Sequence, residues 1–206
     1  MPLDPPARAA LDALLAGHRP ADDAEAADLA AIRSFVAASD APFDRRTLPG
    51  HLTGSAFIID TRTRLLMVHH RRLGLWLQLG GHADFETDAA VVAMREAVEE
   101  SGLVDLRFHE ALRTPDGRPA LLDVDVHAIP AFGAEPPHVH FDLRFLMTTD
   151  QPDRISHQPS ESHGLEWLSL AEARARGDAG IGRALDKIAR LTVVASVPEG
   201  ASRRRT

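Results

Sequence analysis

The feature that most constrains this chain is a double glycine, Gly80-Gly81, followed closely by a helix-period segment that carries Glu96, Glu99 and Glu100. At about 100° per residue the three carboxylates fall within an arc of about 100°, and Val91, Met94 and Val98 cluster on the opposite side, the expected core face. Like charges three and four residues apart each cost a few tenths of a kcal/mol on a helix, so the cluster opposes its own helix unless something offsets it. Arg95, four residues before Glu99, is one compensation, and a bound divalent cation is another. A hard cation such as Mg²⁺ takes oxygen ligands and keeps waters that phosphate oxygens can replace. Glycines ahead of the helix let backbone approach a ligand closely. The plainer alternative is a solvated acidic face paired with Arg95.

Around this segment the hydrophobic period switches repeatedly between 2 and 3.6. Strand-like runs are HLTGSAFIID from His51, RLLMVHH, WLQLGG, a short stretch from Leu106 to His109, Leu121 to Ile129, His138 to Met147, and LEWLSL. Helical periods run from about Asp88 to Ser101 and from Ala171 to about Leu191. Two further helices precede them. Asp4 caps the first, with Pro5 in its opening turn and Leu11, Leu14 and Leu15 leading to Gly17. Asp22 or Asp23 opens the second, with Glu25 placed for a capping-box-like contact and Leu29, Ile32, Phe35 and Val36 on one stripe. The expected organisation is a helical N-terminal extension over 1–45, an α/β domain with a mixed sheet and helices on its faces over 46–195, and a disordered tail over 196–206.

At 206 residues the chain can bury a core without staples, and it has no Cys. That excludes thiol nucleophiles, thiolate metal sites and iron–sulfur clusters. Its formal net charge of −7 argues against duplex nucleic acid or an anionic membrane surface as partner. No apolar run approaches the ~18 residues of a membrane span, and Met1 to Arg8 do not read as a secretory signal, so the expected location is the cytoplasm. Lys187 is the sole lysine against 22 arginines, a bias that implies no function by itself.

From Gly81 to Leu103 the sequence resembles the Nudix hydrolase signature: Gly, five residues, Glu, seven residues, then Arg-Glu-aliphatic-any-Glu-Glu-any-Gly-aliphatic. Gly81, Arg95, Glu96, Glu99, Glu100, Gly102 and Leu103 match at the required spacing, with Ala97 in the first aliphatic position. The likeness extends to RLLMVHH and Trp76 before the signature and to Glu161 and Trp167 after it, covering about residues 50 to 170. Two positions depart. The first glutamate of the signature falls on Thr87, between Glu86 and Asp88, and the proline common before the double glycine is Leu79.

The resemblance implies a Nudix-type α/β/α sandwich. It also implies Mg²⁺- or Mn²⁺-dependent hydrolysis of a nucleoside diphosphate linked to another moiety, with water attacking phosphorus. Glu99 and Glu100 are then the expected metal ligands, Glu96 a ligand or water-orienting base, and the Gly81 carbonyl a further ligand. Arg95 is expected to orient the glutamates. The rival is a catalytically silent domain of the same family that binds a nucleotide and regulates; Thr87 is the only feature favouring it. The expected partner is a small-molecule nucleotide, with the N-terminal helices offering a surface for a homodimer.

A second polar array lies downstream. His138, His140, Asp142 and Arg144 share one strand face by period two, and Asp123, Asp125 and His127 share a face of the preceding strand. Joined as a hairpin they form either a solvent-facing sheet with interstrand charge pairs or a substrate or second-metal pocket, for which no fourth ligand can be named. Arg71 and Arg72 precede Gly74 and are phosphate-binding candidates, as is His82 at the edge of the site. Glu161 and His163, in a loop from Asp150 to Gly164, are candidate bases. Phe85 and Trp76 are candidates for stacking a base.

Overall fold

A computed structural model describes residues 2–71, 74–131, 133, 136–157 and 162–195. Arg72, Glu161 and the C-terminal segment expected to be a tail lie outside the described residues.

The elements run α1 (Pro5–Gly17), α2 (Asp23–Ala38), β1 (Gly50–Asp60), β2 (Leu65–His70), β3 (Trp76–Leu77), β4 (Leu79–His82), α3 (Ala89–Ser101), β5 (Arg107–Phe108), β6 (Asp123–Ile129), β7 (His138–Thr149), β8 (Ser162–Leu168), α4 (Leu170–Arg176) and α5 (Ala179–Ala195). The strands form one mixed sheet whose spine is the parallel pair β1 and β7, in register from Gly50↔Val139 to Asp60↔Thr149. Each spine strand changes antiparallel partner along its length. β1 pairs with β4 over Thr53–Ala56 and with β2 at Ile58 and Ile59. β7 pairs with β6 over His138–Arg144 and with β5 at Met147 and Thr148. The sheet therefore curls, and the ends of β1 and β7 near His51 and His138 are flanked by β4 and β6.

Alternation assigns the two faces. Leu52, Ala56 and Ile58 of β1 join Leu143, Phe145 and Met147 of β7 in a core shared with α1, α2 and α3. Phe57, Ile59 and Leu146 join Ile181, Leu185 and Ile188 of α5 in a second core on the other side. The apolar stripes of the N-terminal helices belong to the first core: Leu11, Leu15, Leu29, Ile32 and Val36 are buried, and Phe35 stacks on Phe141 with ring centroids 4.3 Å apart.

Several expectations need correction. Val91 does not face the core; it is 51% exposed, and the buried side of α3 is Val92, Ala93 and Ala97. Small residues are required there because α3 lies directly on β1. A Cβ built on Gly54 meets the Ala89 carbonyl oxygen at 2.7 Å and the Ala93 nitrogen at 2.9 Å. We expect Gly54→Ala to cost ~1–3 kcal/mol by overpacking, read from the denaturant midpoint. The closing helical region is two helices, α4 opening on a Ser169/Glu172 capping box and α5 opening with Asp178 accepting from the Ile181 N–H at 2.9 Å. Strand β8 begins at Ser162, pairing with β2, so His163 is a strand residue rather than a loop residue. Glu25 forms no capping box. Its backbone N–H donates to Asp22 Oδ1, but its carboxylate is buried and accepts from the Ala21 N–H at 2.6 Å and Lys187 Nζ.

Candidate active site

Antiparallel pairing of Gly80, Gly81 and His82 with Ser55, Gly54 and Thr53 lays the double glycine along β1, beside α3. A tight turn follows, with the Glu86 N–H donating to the Ala83 carbonyl at 2.8 Å and Asp84 left-handed at φ 48°. Asp88 caps α3 by accepting from the Ala90 N–H at 2.9 Å. Helix α3 ends at left-handed Gly102, so the acidic run occupies its last two turns.

Glu96 packs against Gly81 so closely that a Cβ there would lie 2.7 Å from its carboxyl carbon; no other residue fits at position 81 without moving Glu96. Burial pushes the Glu96 carboxyl above its ordinary range, against the pull of Arg95. Glu100 Oε2 accepts the Gly80 N–H at 2.8 Å, and Glu99 is half exposed. Arg95 holds the group together. Its Nε donates to Glu86 at 2.9 Å, Nη1 to Glu96 at 2.9 Å and Glu99 at 3.0 Å, and Nη2 to the His82 carbonyl at 2.7 Å and Glu86 at 3.1 Å. Those contacts engage all five donors of a guanidinium.

The departure at Thr87 has a structural counterpart. Glu86, one residue earlier, grips the Nε edge of Arg95 from both carboxylate oxygens, because the turn at Asp84 swings it over α3. Thr87 instead lines a separate pocket with Ala7, Ala10 and Leu14 of α1.

Behind the glycines lies a cavity of about 240 Å³ whose walls include Thr53, Ser55, Gln78, His82, Glu100, His127, His138, His140 and Asp142. The polar faces of β6 and β7 thus meet a cavity rather than open solvent at these positions. Asp142 is held by four donors: Thr53 Oγ1 at 2.9 Å, Ser55 Oγ at 2.8 Å, Gln78 Nε2 at 3.2 Å and Arg144 Nε at 2.9 Å. Arg144, a substrate-binding candidate, is 2% exposed and does not line this cavity. Its guanidinium lies between Asp142, Asp125 at 3.0 Å and Asp123 at 3.4 Å. His140 is pushed down to about 2, by burial first and then by the neighbouring His82, His51, His127 and His138.

Other candidates are placed away from the cavity. Arg71 is exposed in the turn after β2. His163 sits against His69, ring centroids 5.1 Å apart, and His69 stacks on Trp76 at 4.9 Å. Phe85 is 92% exposed. Residues not foreseen are His51, Thr53, Ser55 and Gln78. Period two in HLTGS puts His51, Thr53 and Ser55 on one face, but joining that face to His140 and Asp142 required the parallel β1–β7 register.

Comparison with known proteins bears on the fold and the family. No curated protein sequence matches the chain. Among solved structures, a C. elegans Ap4A hydrolase binary complex is 19% identical, with a TM-score of 0.54 over 69% of this chain and 98% of that one. The E. coli dihydroneopterin triphosphate pyrophosphohydrolase is 17% identical, with a TM-score of 0.50 over 69% of this chain and 95% of that one. These likenesses concern the fold. The NUDIX domain family model matches residues 50–188, a span that holds the double glycine, the Arg95-centred glutamates and the curled sheet behind them, and on that match the chain belongs to the Nudix hydrolase family.

Proposed function

We propose that this protein hydrolyses a nucleoside diphosphate linked to another moiety, with Mg²⁺ or Mn²⁺, by water attack on phosphorus. Nudix hydrolases act on phosphoanhydride bonds. The observation that carries the reading is the seating of Glu96 on Gly81, with Glu99 and Glu100 beside it and a cavity adjoining that Thr53, Gln78, His82 and Asp142 help to line. The donor set is all oxygen and suits a hard divalent cation, and a side chain at position 81 would have to displace the Glu96 carboxylate. Glu96, Glu99, Glu100 and the Gly81 carbonyl would hold the metal, which supplies polarised phosphoryl oxygens and a more acidic bound water.

The chain's own groups do the positioning. Arg95 fixes Glu96 and Glu99 relative to the double glycine, and the Gly80 N–H fixes Glu100. Glu96, seated on Gly81 and bonded to Arg95, stands either as a further ligand or as the group that orients the attacking water and takes its proton as the bridging P–O bond breaks. The cavity bordered by Gln78, His82 and His138 receives the remainder of the substrate.

The test is a Mg²⁺-dependent hydrolysis screen over nucleoside triphosphates, nucleotide sugars, ADP-ribose, dinucleoside polyphosphates and nucleotide cofactors. Turnover of one of them, abolished by chelation, is expected; binding of a nucleotide with no turnover by any of them would favour the silent regulator. Thr87 was the feature favouring that rival, and Glu86 on Arg95 weakens it. Accordingly, Thr87→Glu should change kcat/KM by less than ~10-fold, about 1.4 kcal/mol in barrier. Glu86→Ala should lower it by ~10- to 100-fold, as expected for loss of a group orienting the ligands. A large gain from Thr87→Glu with no loss from Glu86→Ala would reverse the assignment.

A further inference from the structure

We propose that His51, His82, His138 and His140 form a second metal site, distinct from the carboxylate centre, for a borderline-soft divalent cation of the Zn²⁺ class. Three strands build it. Period two on β7 puts His138 and His140 on one face. The parallel register sets His51 of β1 opposite His140, and the β1–β4 register brings His82 in beside Thr53, two residues along the same strand face. One ring nitrogen from each of the four residues lies within 4.8 Å of all the others. Ring centroids are 4.9 Å apart for His51–His82 and His51–His140, and 5.0 Å for His51–His138, His82–His140 and His138–His140.

A tetrahedral ion with metal–nitrogen bonds of ~2.0–2.1 Å separates its ligand atoms by about 3.3 Å. The Nε2 atoms of His138 and His140 are already 3.1 Å apart, and the four ligand atoms all lie within 4.8 Å of one another. His138 Nδ1 lies 3.0 Å from the Pro136 carbonyl, which only a protonated Nδ1 can satisfy; that tautomer turns the Nε2 lone pair toward the cluster. The four donors are nitrogen, so the site discriminates against Mg²⁺, which requires oxygen, and favours Zn²⁺, Co²⁺, Ni²⁺ or Cu²⁺. The two centres adjoin through one residue: His82 presents its imidazole to the cluster and its carbonyl to Arg95 Nη2 at 2.7 Å. Asp142, the carboxylate that shares this strand face, is held by its hydroxyl, amide and guanidinium donors and takes no part.

The experiment uses the full chain, stripped with chelator and titrated with Zn²⁺ in excess Mg²⁺, with stoichiometry by elemental analysis and geometry from the visible spectrum of the Co²⁺ form. One Zn²⁺ per chain and a four-coordinate Co²⁺ spectrum are expected. Both should persist in Glu99→Gln. His138→Ala combined with His140→Ala should weaken Zn²⁺ affinity more than ~100-fold, beyond what loss of an orienting neighbour alone costs. Should that double variant fail to fold by circular dichroism, His82→Gln at the cavity wall replaces it, with the same expected direction. No stoichiometric Zn²⁺ in the unaltered chain, or Zn²⁺ lost in Glu99→Gln and kept in the histidine variants, would overturn the proposal. None of these readouts is turnover, so they stand apart from the outcome of the hydrolysis screen.

Discussion

Replacing Glu99 or Glu100 by Gln should lower turnover by ~10²-fold or more while leaving the fold intact, because electrostatic and metal-linked stabilisation of a transition state is worth several kcal/mol. The substitution keeps volume and one carbonyl oxygen, so packing is nearly unchanged. Glu99 is half exposed and its pair with Arg95 spans a single helical turn, an interaction worth only ~0.3–0.5 kcal/mol. Against that small loss stands relief of repulsion from Glu96, three residues away, and thermal stability without metal should stay within ~0.5 kcal/mol. In Glu100→Gln the amide oxygen can still accept from the Gly80 N–H, so β4 should stay seated. Steady-state kinetics with Mg²⁺ on the substrate found by screening, alongside a denaturant curve, separates chemistry from folding. Near-normal kcat in both variants would remove these carboxylates from the mechanism.

The parts of the molecule legible in the sequence are those set by local periods. Helix α3, the capped starts of α1 and α2, and the alternating strands β1, β6 and β7 all declare themselves, since neighbours along the chain share their environment. The cluster Arg95, Glu96, Glu99, Glu100 is legible for the same reason: one helix carries it. What escapes is long-range. Val91 reads as core on a helical wheel, yet the close seating of α3 on Gly54 rotates a narrower face of small residues inward. Glu86 takes the place expected of residue 87 after a turn in which Asp84, two positions earlier, is left-handed. His51 belongs with His140 through a parallel pairing of segments about ninety residues apart, which no local pattern encodes. Asp142 and Arg144 look like an open polar face in the sequence. Only the neighbouring strands reveal that the first is saturated by four donors and the second enclosed by three carboxylates.

Glu25→Gln is expected to cost about 3 kcal/mol of stability at pH 7 and to flatten the acid limb of the stability curve. The carboxylate is fully buried and accepts from His18 Nε2 at 2.7 Å, the Ala21 N–H at 2.6 Å, the Val124 N–H at 3.3 Å and Lys187 Nζ, so it joins α2 to β6 and α5. The lone lysine of the chain thereby lies in a buried ion cluster, where it also reaches Asp123 at 2.9 Å and the Leu122 carbonyl at 2.9 Å. Removing one member of a buried pair typically costs ~3–5 kcal/mol because the other charge is left uncompensated; Asp123 still partners Lys187 here, which places the loss at the lower end. Burial alone would raise the Glu25 pKa, but the bonds from His18, Lys187 and Ala21 outweigh it and pull the value from 4.5 down to about 2. A carboxyl depressed in the folded state contributes stability that is present above pH 4.5 and lost as pH falls toward 2. Chemical denaturation at pH 7 and at stepped pH down to 2.5 measures both effects. The variant should be weaker at neutral pH and should lose less than the unaltered chain between pH 4.5 and 2.5. Adding Lys187→Met should recover part of the loss if the cost is an orphaned ammonium. A change below ~1 kcal/mol at pH 7, with an unaltered acid limb, would mean that α2 is held to the sheet by its apolar stripe of Leu29, Ile32 and Val36 alone.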